Sequence, residues 1–221
     1  MPEHANDEIV ILVHGFNKGW RDMAYLEAGL RREGWKTLTV SLPTLFGDMD
    51  DMVAAMAAQL KGITPRYRQV HYVAHSLGGL ITFNFIRRTQ QQNVGRCVFI
   101  ATPHGGSRLA ELASQIPFYA RVFKPVAELV PSDAYDGCYA DSGLTVGVIA
   151  GCSNSSLLGK LFLSPHSDGR VEVGSVRLGG ASDMILLPYG HKDIHHQKET
   201  LQRVLEFLKQ GAFSRQAEHS R

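Results

Sequence analysis

The chain is short of cysteine, of net charge and of long apolar runs, and each shortage argues against a class of protein. Its three cysteines, Cys97, Cys138 and Cys152, are an odd number without metal-like spacing. That argues against a disulfide framework and fits a reducing compartment. Cys97 lies in an apolar run and reads as a small core residue. Lys and Arg number 23 against 21 Asp and Glu, a formal net charge of +2. The basic residues are scattered, so charge suggests neither a nucleic-acid partner nor an anionic membrane surface. No apolar run approaches the ~20 residues that a transmembrane helix needs. Residues 1–8, Met-Pro-Glu-His-Ala-Asn-Asp-Glu, are polar and acidic. A secretory signal needs a positive region followed by an apolar one, and neither is seen here. A cytoplasmic location is the expectation, although a chain trimmed of a leader would read the same. There is no internal repeat, low-complexity tract or domain linker. The polar stretch from about Ser214 to Arg221 lacks periodicity and is expected to fray.

What is present suits a single domain over residues 1–221, 44% hydrophobic. Short apolar runs alternate with amphipathic stretches. Strands are predicted at Ile9–Val13, Thr37–Leu42, Val70–Ala74, Cys97–Ala101, Thr145–Ala150 and Met184–Leu187. The first, Ile-Val-Ile-Leu-Val, is a continuous β-branched and aliphatic run, as expected of a strand buried on both faces. Helices are predicted at Asp22–Arg32, Met49–Leu60, Leu77–Arg88 and His195–Gln210, with Asp193 as the N-cap of the last. Strands alternating with helices imply βαβ units, a parallel sheet and helices on both of its faces. Two stretches break the rhythm, 105–144 and the Gly- and Ser-rich 152–182. Both fall where an open α/β sheet carries its active-site loops.

Val73-Ala74-His75-Ser76-Leu77-Gly78-Gly79 joins a predicted strand directly to a predicted helix. A nucleophilic serine must stand proud of a sheet, and a tight strand-to-helix turn puts it there at the cost of backbone strain. Small residues two before and two after the serine let strand and helix approach closely. Gly78 fills the second place, and Ala74 stands in the first where glycine is usual. The backbone N–H of Leu77 opens the helix and is placed to receive a developing oxyanion. Leu12-Val13-His14-Gly15-Phe16 ends the first strand, and the N–H of Phe16 is the candidate second donor. His14 reads as a structural hydrogen-bonder beneath that loop rather than as a base.

These residues, with Ala101-Thr102-Pro103-His104-Gly105-Gly106-Ser107, resemble the α/β-hydrolase lipases and esterases, and Ala-His-Ser-x-Gly resembles the small bacterial lipases. The resemblance implies a mostly parallel sheet of about six strands, lacking the two leading strands of larger members. It also implies hydrolysis of a small-molecule carboxylic ester without metal or organic cofactor; it does not settle the acyl group, for which the apolar 108–144 segment suggests an apolar chain.

In this fold the acid follows the serine and the histidine comes last. Candidate acids are Asp133, Asp136, Asp141, Asp168, Asp183 and Asp193. Ser167-Asp168-Gly169-Arg170-Val171 resembles the family's Asp-Gly-x-Val segment, which favours Asp168. His191, just past the last predicted strand, matches the family's position for the base. His195 and His196 are expected in the following helix. His104 precedes the acid and is at most a pocket residue. Residues 108–144 are apolar and broken by prolines. They read either as a lid over an acyl pocket or as a helical pair packed on the sheet edge. Phe16, Leu45, Phe46, Phe118 and Phe123, with Thr44, are the candidate pocket residues. A thioesterase or amidase would use the same triad, and the fold also hosts non-catalytic binding proteins.

Overall fold

The computed structural model describes residues 7–116, 122–130 and 143–214. Phe118, Cys138, Asp133, Asp136, Asp141 and His219 lie outside the described residues. Six strands form one sheet: β1 (Glu8–Val13), β2 (Lys36–Thr39), β3 (Gln69–His75), β4 (Val94–Ile100), β5 (Thr145–Gly151) and β6 (Asp183–Leu187). Their order is β2-β1-β3-β4-β5-β6, and every pairing is parallel. The centre is tightly registered, with Leu12 opposite Val73 and Val73 opposite Val98.

The apolar runs are continuous because helices cover both faces. Alternate residues point to opposite sides. Ile11, Val13, Tyr72, Ala74, Phe99 and Val148 join one core with α2 (Met49–Leu60) and α3 (Leu77–Thr89). Val10, Leu12, Val73, Val98 and Ile149 join the other, with α1 (Ala24–Arg32) and the C-terminal helix Lys198–Gln210. α2 begins where its sequence says it should: Asp48 accepts from the Asp51 N–H, and Asp51 returns the bond to the Asp48 N–H.

Two expectations are corrected. The second strand ends at Thr39 rather than Leu42: the Val40 N–H still donates to the Leu12 carbonyl at 3.1 Å, but the Leu42 N–H turns to His14 Nε2 at 3.0 Å instead of continuing along β1. The last α-helix starts at Lys198 rather than His195. His195 and His196 belong to a separate tight turn, Ile194–His196, and Gln197 is extended (φ −92°, ψ 141°). Asp193 caps nothing with its side chain. Its own backbone is already helical (φ −106°, ψ −22°), whereas a cap needs an extended one.

The remaining helices are short: α4 (Arg108–Ser114), α5 (Leu157–Phe162) and α6 (Val173–Val176). With a tight turn at Lys124–Leu129 they flank the carboxyl ends of the strands. Among the described residues no helix is long and apolar enough to cross a membrane.

Candidate active site

Ser76 is the single residue between β3 and α3, and its backbone sits at φ 53°, ψ −127°. For a residue with a Cβ this conformation is strained, typically by about 1–3 kcal/mol, and persists only where the surroundings over-determine it. The surroundings here are identifiable. The Ser76 N–H donates to the Ile100 carbonyl at 2.9 Å, and the Ser76 carbonyl accepts from Gly79 at 3.0 Å. A Cβ on Gly78 would lie 2.6 Å from the Val13 carbonyl oxygen and 2.7 Å from that of His14. Only glycine lets the start of α3 pass so close to the end of β1. Ala74 replaces the customary glycine without conflict, because its methyl group is buried in the core.

Asp168 lies in the loop after β5. Its Oδ1 accepts from the N–H groups of Arg170 (2.9 Å) and Val171 (2.8 Å), which fixes the carboxylate plane. Its Oδ2 is 2.7 Å from His191 Nδ1. His191 follows β6, and its own N–H donates to the Asp168 carbonyl at 2.9 Å, tying the two loops together. His191 Nε2 is 3.0 Å from Ser76 Oγ. A carboxylate can only accept, so Nδ1 carries the proton and Nε2 presents a lone pair to the serine hydroxyl. All three residues are buried. The structure thus brings together Ser76, Asp168 and His191, the three residues singled out from the sequence.

The other candidates fall elsewhere. Asp183 is at the start of β6, where it accepts from the N–H groups of Met184 and Phe213. His14 donates from Nδ1 to the Gly15 carbonyl (3.1 Å) and accepts at Nε2 from Leu42 (3.0 Å). Both nitrogens are committed beneath the loop that carries Phe16, and burial lowers its pKa, keeping it neutral. His104 is buried against Phe99, and burial pushes it down to about 3.

Leu77 is the first residue of α3, so its N–H has no partner within the helix. A cavity of about 490 Å³ opens over Ser76 and His191. Phe16 lines it as expected. Leu45 and Phe46 do not: with Thr44 they line a separate cleft of about 510 Å³ beside Asn17 and Asp22. Phe123 is not a wall of the Ser76 cavity either, because its ring stacks on Phe46 with centroids 5.9 Å apart. The apolar wall comes instead from Leu109, Ala110, Ala113, Val126 and Leu129, and from Leu157 and Val171 opposite. Leu157 and Val171 were not anticipated. They sit in a Gly- and Ser-rich stretch with no apolar periodicity to mark them.

A parallel sheet with a strained serine at a strand-to-helix turn defines an α/β-hydrolase architecture. The chain belongs to the alpha/beta hydrolase family, whose profile matches residues 10–193. No curated protein matches it significantly by sequence. Among solved structures it is similar to the mature lipase BlEst2 of Bacillus licheniformis, at 21% identity and a TM-score of 0.79 over 94% of both chains. It is similar to the phospholipase PlaB of Legionella pneumophila, at 15% identity and a TM-score of 0.67 over 94% of this chain and 60% of that one. An esterase of Exiguobacterium antarcticum, EaEST, matches at 12% identity and a TM-score of 0.65 over 93% of each chain. At such identities the likeness is one of fold.

Proposed function

We propose that the protein is a serine hydrolase that cleaves carboxylic esters through an acyl-enzyme. The observation that carries this reading is the continuous relay from Asp168 Oδ2 to His191 (2.7 Å) to Ser76 Oγ (3.0 Å). His191 Nε2 takes the Ser76 proton as Oγ bonds to the ester carbonyl carbon, then delivers that proton to the departing alkoxide. Asp168 holds the imidazole in the Nδ1–H tautomer and stabilises the imidazolium, remaining ionised throughout. The N–H groups of Phe16 and Leu77 receive the oxyanion, a contribution of about 3–4 kcal/mol per donor in comparable sites. Water, activated by His191 in turn, releases the acid and restores Ser76. Within this reading the described parts of the 108–144 segment wall the acyl pocket, through Leu109, Ala110, Ala113, Val126 and Leu129.

A fluorophosphonate probe, followed by peptide mass spectrometry, tests the nucleophile: the adduct is expected on Ser76. No labelling of folded protein would return the chain to the class of non-catalytic binding proteins. A panel of p-nitrophenyl esters and acyl thioesters of graded length then separates an esterase from a thioesterase, with the esters expected to turn over faster.

A further inference from the structure

Behind the Ser76–His191 pair, three further side chains converge from three separate segments. Asp22 comes from the connection between β1 and α1, His75 is the last residue of β3, and His195 lies in the turn beyond His191. Asp22 Oδ2 is 3.1 Å from His195 Nε2 and 3.9 Å from His75 Nδ1, and the three atoms all lie within 4.8 Å of one another. His75 and His195 are 3% and 1% exposed.

The donor and acceptor accounting of this cluster does not close. His75 Nε2 lies 3.0 Å from the His191 carbonyl oxygen, which can only accept. That nitrogen therefore holds the proton, and Nδ1 is left with a bare lone pair. No donor meets it. His195 Nε2 and Asp22 Oδ2 meet at 3.1 Å as an ion pair without the alignment of a good hydrogen bond, and His195 Nδ1 has no hydrogen-bond partner. Buried polar atoms are almost always partnered, and exceptions call for an explanation such as an ion. Lys18 approaches the opposite carboxylate oxygen, Oδ1, at 3.2 Å, and leaves Oδ2 to the histidines.

We propose that Asp22, His75 and His195 form a binding site for a divalent transition-metal ion of the Zn²⁺ class. Two imidazole nitrogens and one carboxylate oxygen are a borderline-soft donor set suited to zinc, with a fourth position for water. Ligand atoms at about 2.0–2.1 Å from a tetrahedral zinc stand roughly 3.4 Å apart. The separations of 3.1 and 3.9 Å bracket that value. The rings of His75 and His195 lie stacked with centroids 3.9 Å apart, so coordination turns one of them out of the stack. His195 is the ring that would have to turn, because His75 Nε2 is held by the His191 carbonyl at 3.0 Å. The cleft lined by Asn17, Lys18, Asp22 and Thr44 gives the ion a path in. An ion held there ties together the segments that carry Phe16, Ser76 and His191. It touches no reacting atom; its role is positional, and the site stands independently of which bond the enzyme cleaves.

The test uses the full chain, stripped with a chelator, dialysed and titrated with Zn²⁺ or Co²⁺. Calorimetry is expected to show one ion per chain, with a rise in Tm. X-ray absorption is expected to show about two imidazoles and no thiolate around zinc. Asp22→Asn and His195→Gln should each weaken binding by more than about 100-fold, since even outer-shell changes cost 10–100-fold. His166→Gln, at an exposed site, and His191→Gln should bind as wild type. Four results each overturn the proposal. They are no saturable binding at micromolar Zn²⁺, sulfur in the coordination shell, loss of binding in His191→Gln, or undiminished binding in both Asp22→Asn and His195→Gln.

Discussion

A methyl group placed on Gly78 would meet the carbonyl oxygen of Val13 at 2.6 Å, closer than real side-chain carbons approach. The start of α3 is pressed against the end of β1, and that pressure holds Ser76 beneath the loop that carries Phe16. Gly78→Ala is therefore expected to do more than lower stability. Overpacking of this kind costs about 1–3 kcal/mol, which lowers Tm by roughly 2–12 °C in a domain of this size. Fluorophosphonate labelling of Ser76 should fall with it, as the two sides of the elbow are pushed apart. Gly19→Ala is the control: nothing lies within 4 Å of a Cβ there, so its melt and its labelling should match wild type.

His191→Ala removes the only histidine seen within reach of Ser76 among the described residues. Loss of ester turnover by about 10⁴–10⁶ in kcat is expected. His196→Ala, in the neighbouring turn, should keep most activity. Steady-state rates on a p-nitrophenyl ester, beside circular dichroism of both variants, separate lost chemistry from lost fold.

Asp168→Asn isolates the tautomer. The amide oxygen can still accept from Arg170 and Val171, so the loop should keep its shape. The amide NH₂ then faces His191 Nδ1 and donates to it, which moves the ring proton to Nε2 and removes the acceptor that Ser76 needs. In serine proteases the equivalent exchange costs about 10⁴ in kcat. Asp183→Asn should show the reverse pattern. Its two oxygens accept from two different N–H groups, and an amide has only one oxygen to offer. A loss of about 1 kcal/mol in stability with unchanged kcat is expected. Rates and melts measured on both variants would contradict this assignment if Asp168→Asn stayed active.

Acid should unfold the protein through its buried neutral histidines. Burial depresses His104 to about 3 and lowers His14 as well. Unfolded, each titrates near 6.5. Below that pH the unfolded chain binds protons that the folded chain refuses, so stability falls as pH drops below about 6.5, for His104 down toward about 3, by up to about 1.4 kcal/mol per pH unit per group. Above 6.5 these two groups contribute no slope. A Tm profile from pH 8 to 4 checks this, and His104→Gln should flatten its acid side.

The apolar wall over Ser76 predicts a preference for medium acyl chains over acetyl. Ala113→Trp should fill part of that cavity and shift the optimum toward shorter chains while leaving acetate ester turnover nearly intact. A chain-length profile of kcat/KM that declines steadily from acetate in the wild type would contradict the assignment of this cavity to the acyl group.

The parallel sheet and its elbow were legible because the information is local: β-branched runs, a glycine two residues beyond Ser76, and an amphipathic stretch directly after. Asp168 and His191 were legible only through resemblance, from the family's chain order and its Asp-Gly-x-Val segment, and not from local pattern; the fold joins both to Ser76. Features decided by distant partners were not. The end of β2 depends on Leu42 finding His14, 28 residues away in sequence. Phe46 and Phe123 looked like pocket aromatics, yet they satisfy each other by stacking. Asp22, His75 and His195 carry no spacing that would betray their meeting, because it happens only where three distant segments converge.

β6 lies at one edge of the sheet, yet the residue that completes the relay follows it. During synthesis at about 5–20 residues per second, β1 to β4 and the strained turn at Ser76 are available to pair well before β6 emerges. For those seconds the turn holds an ordinary alcohol with no base beside it. On the proposed mechanism, the base reaches Ser76 only when β6 docks.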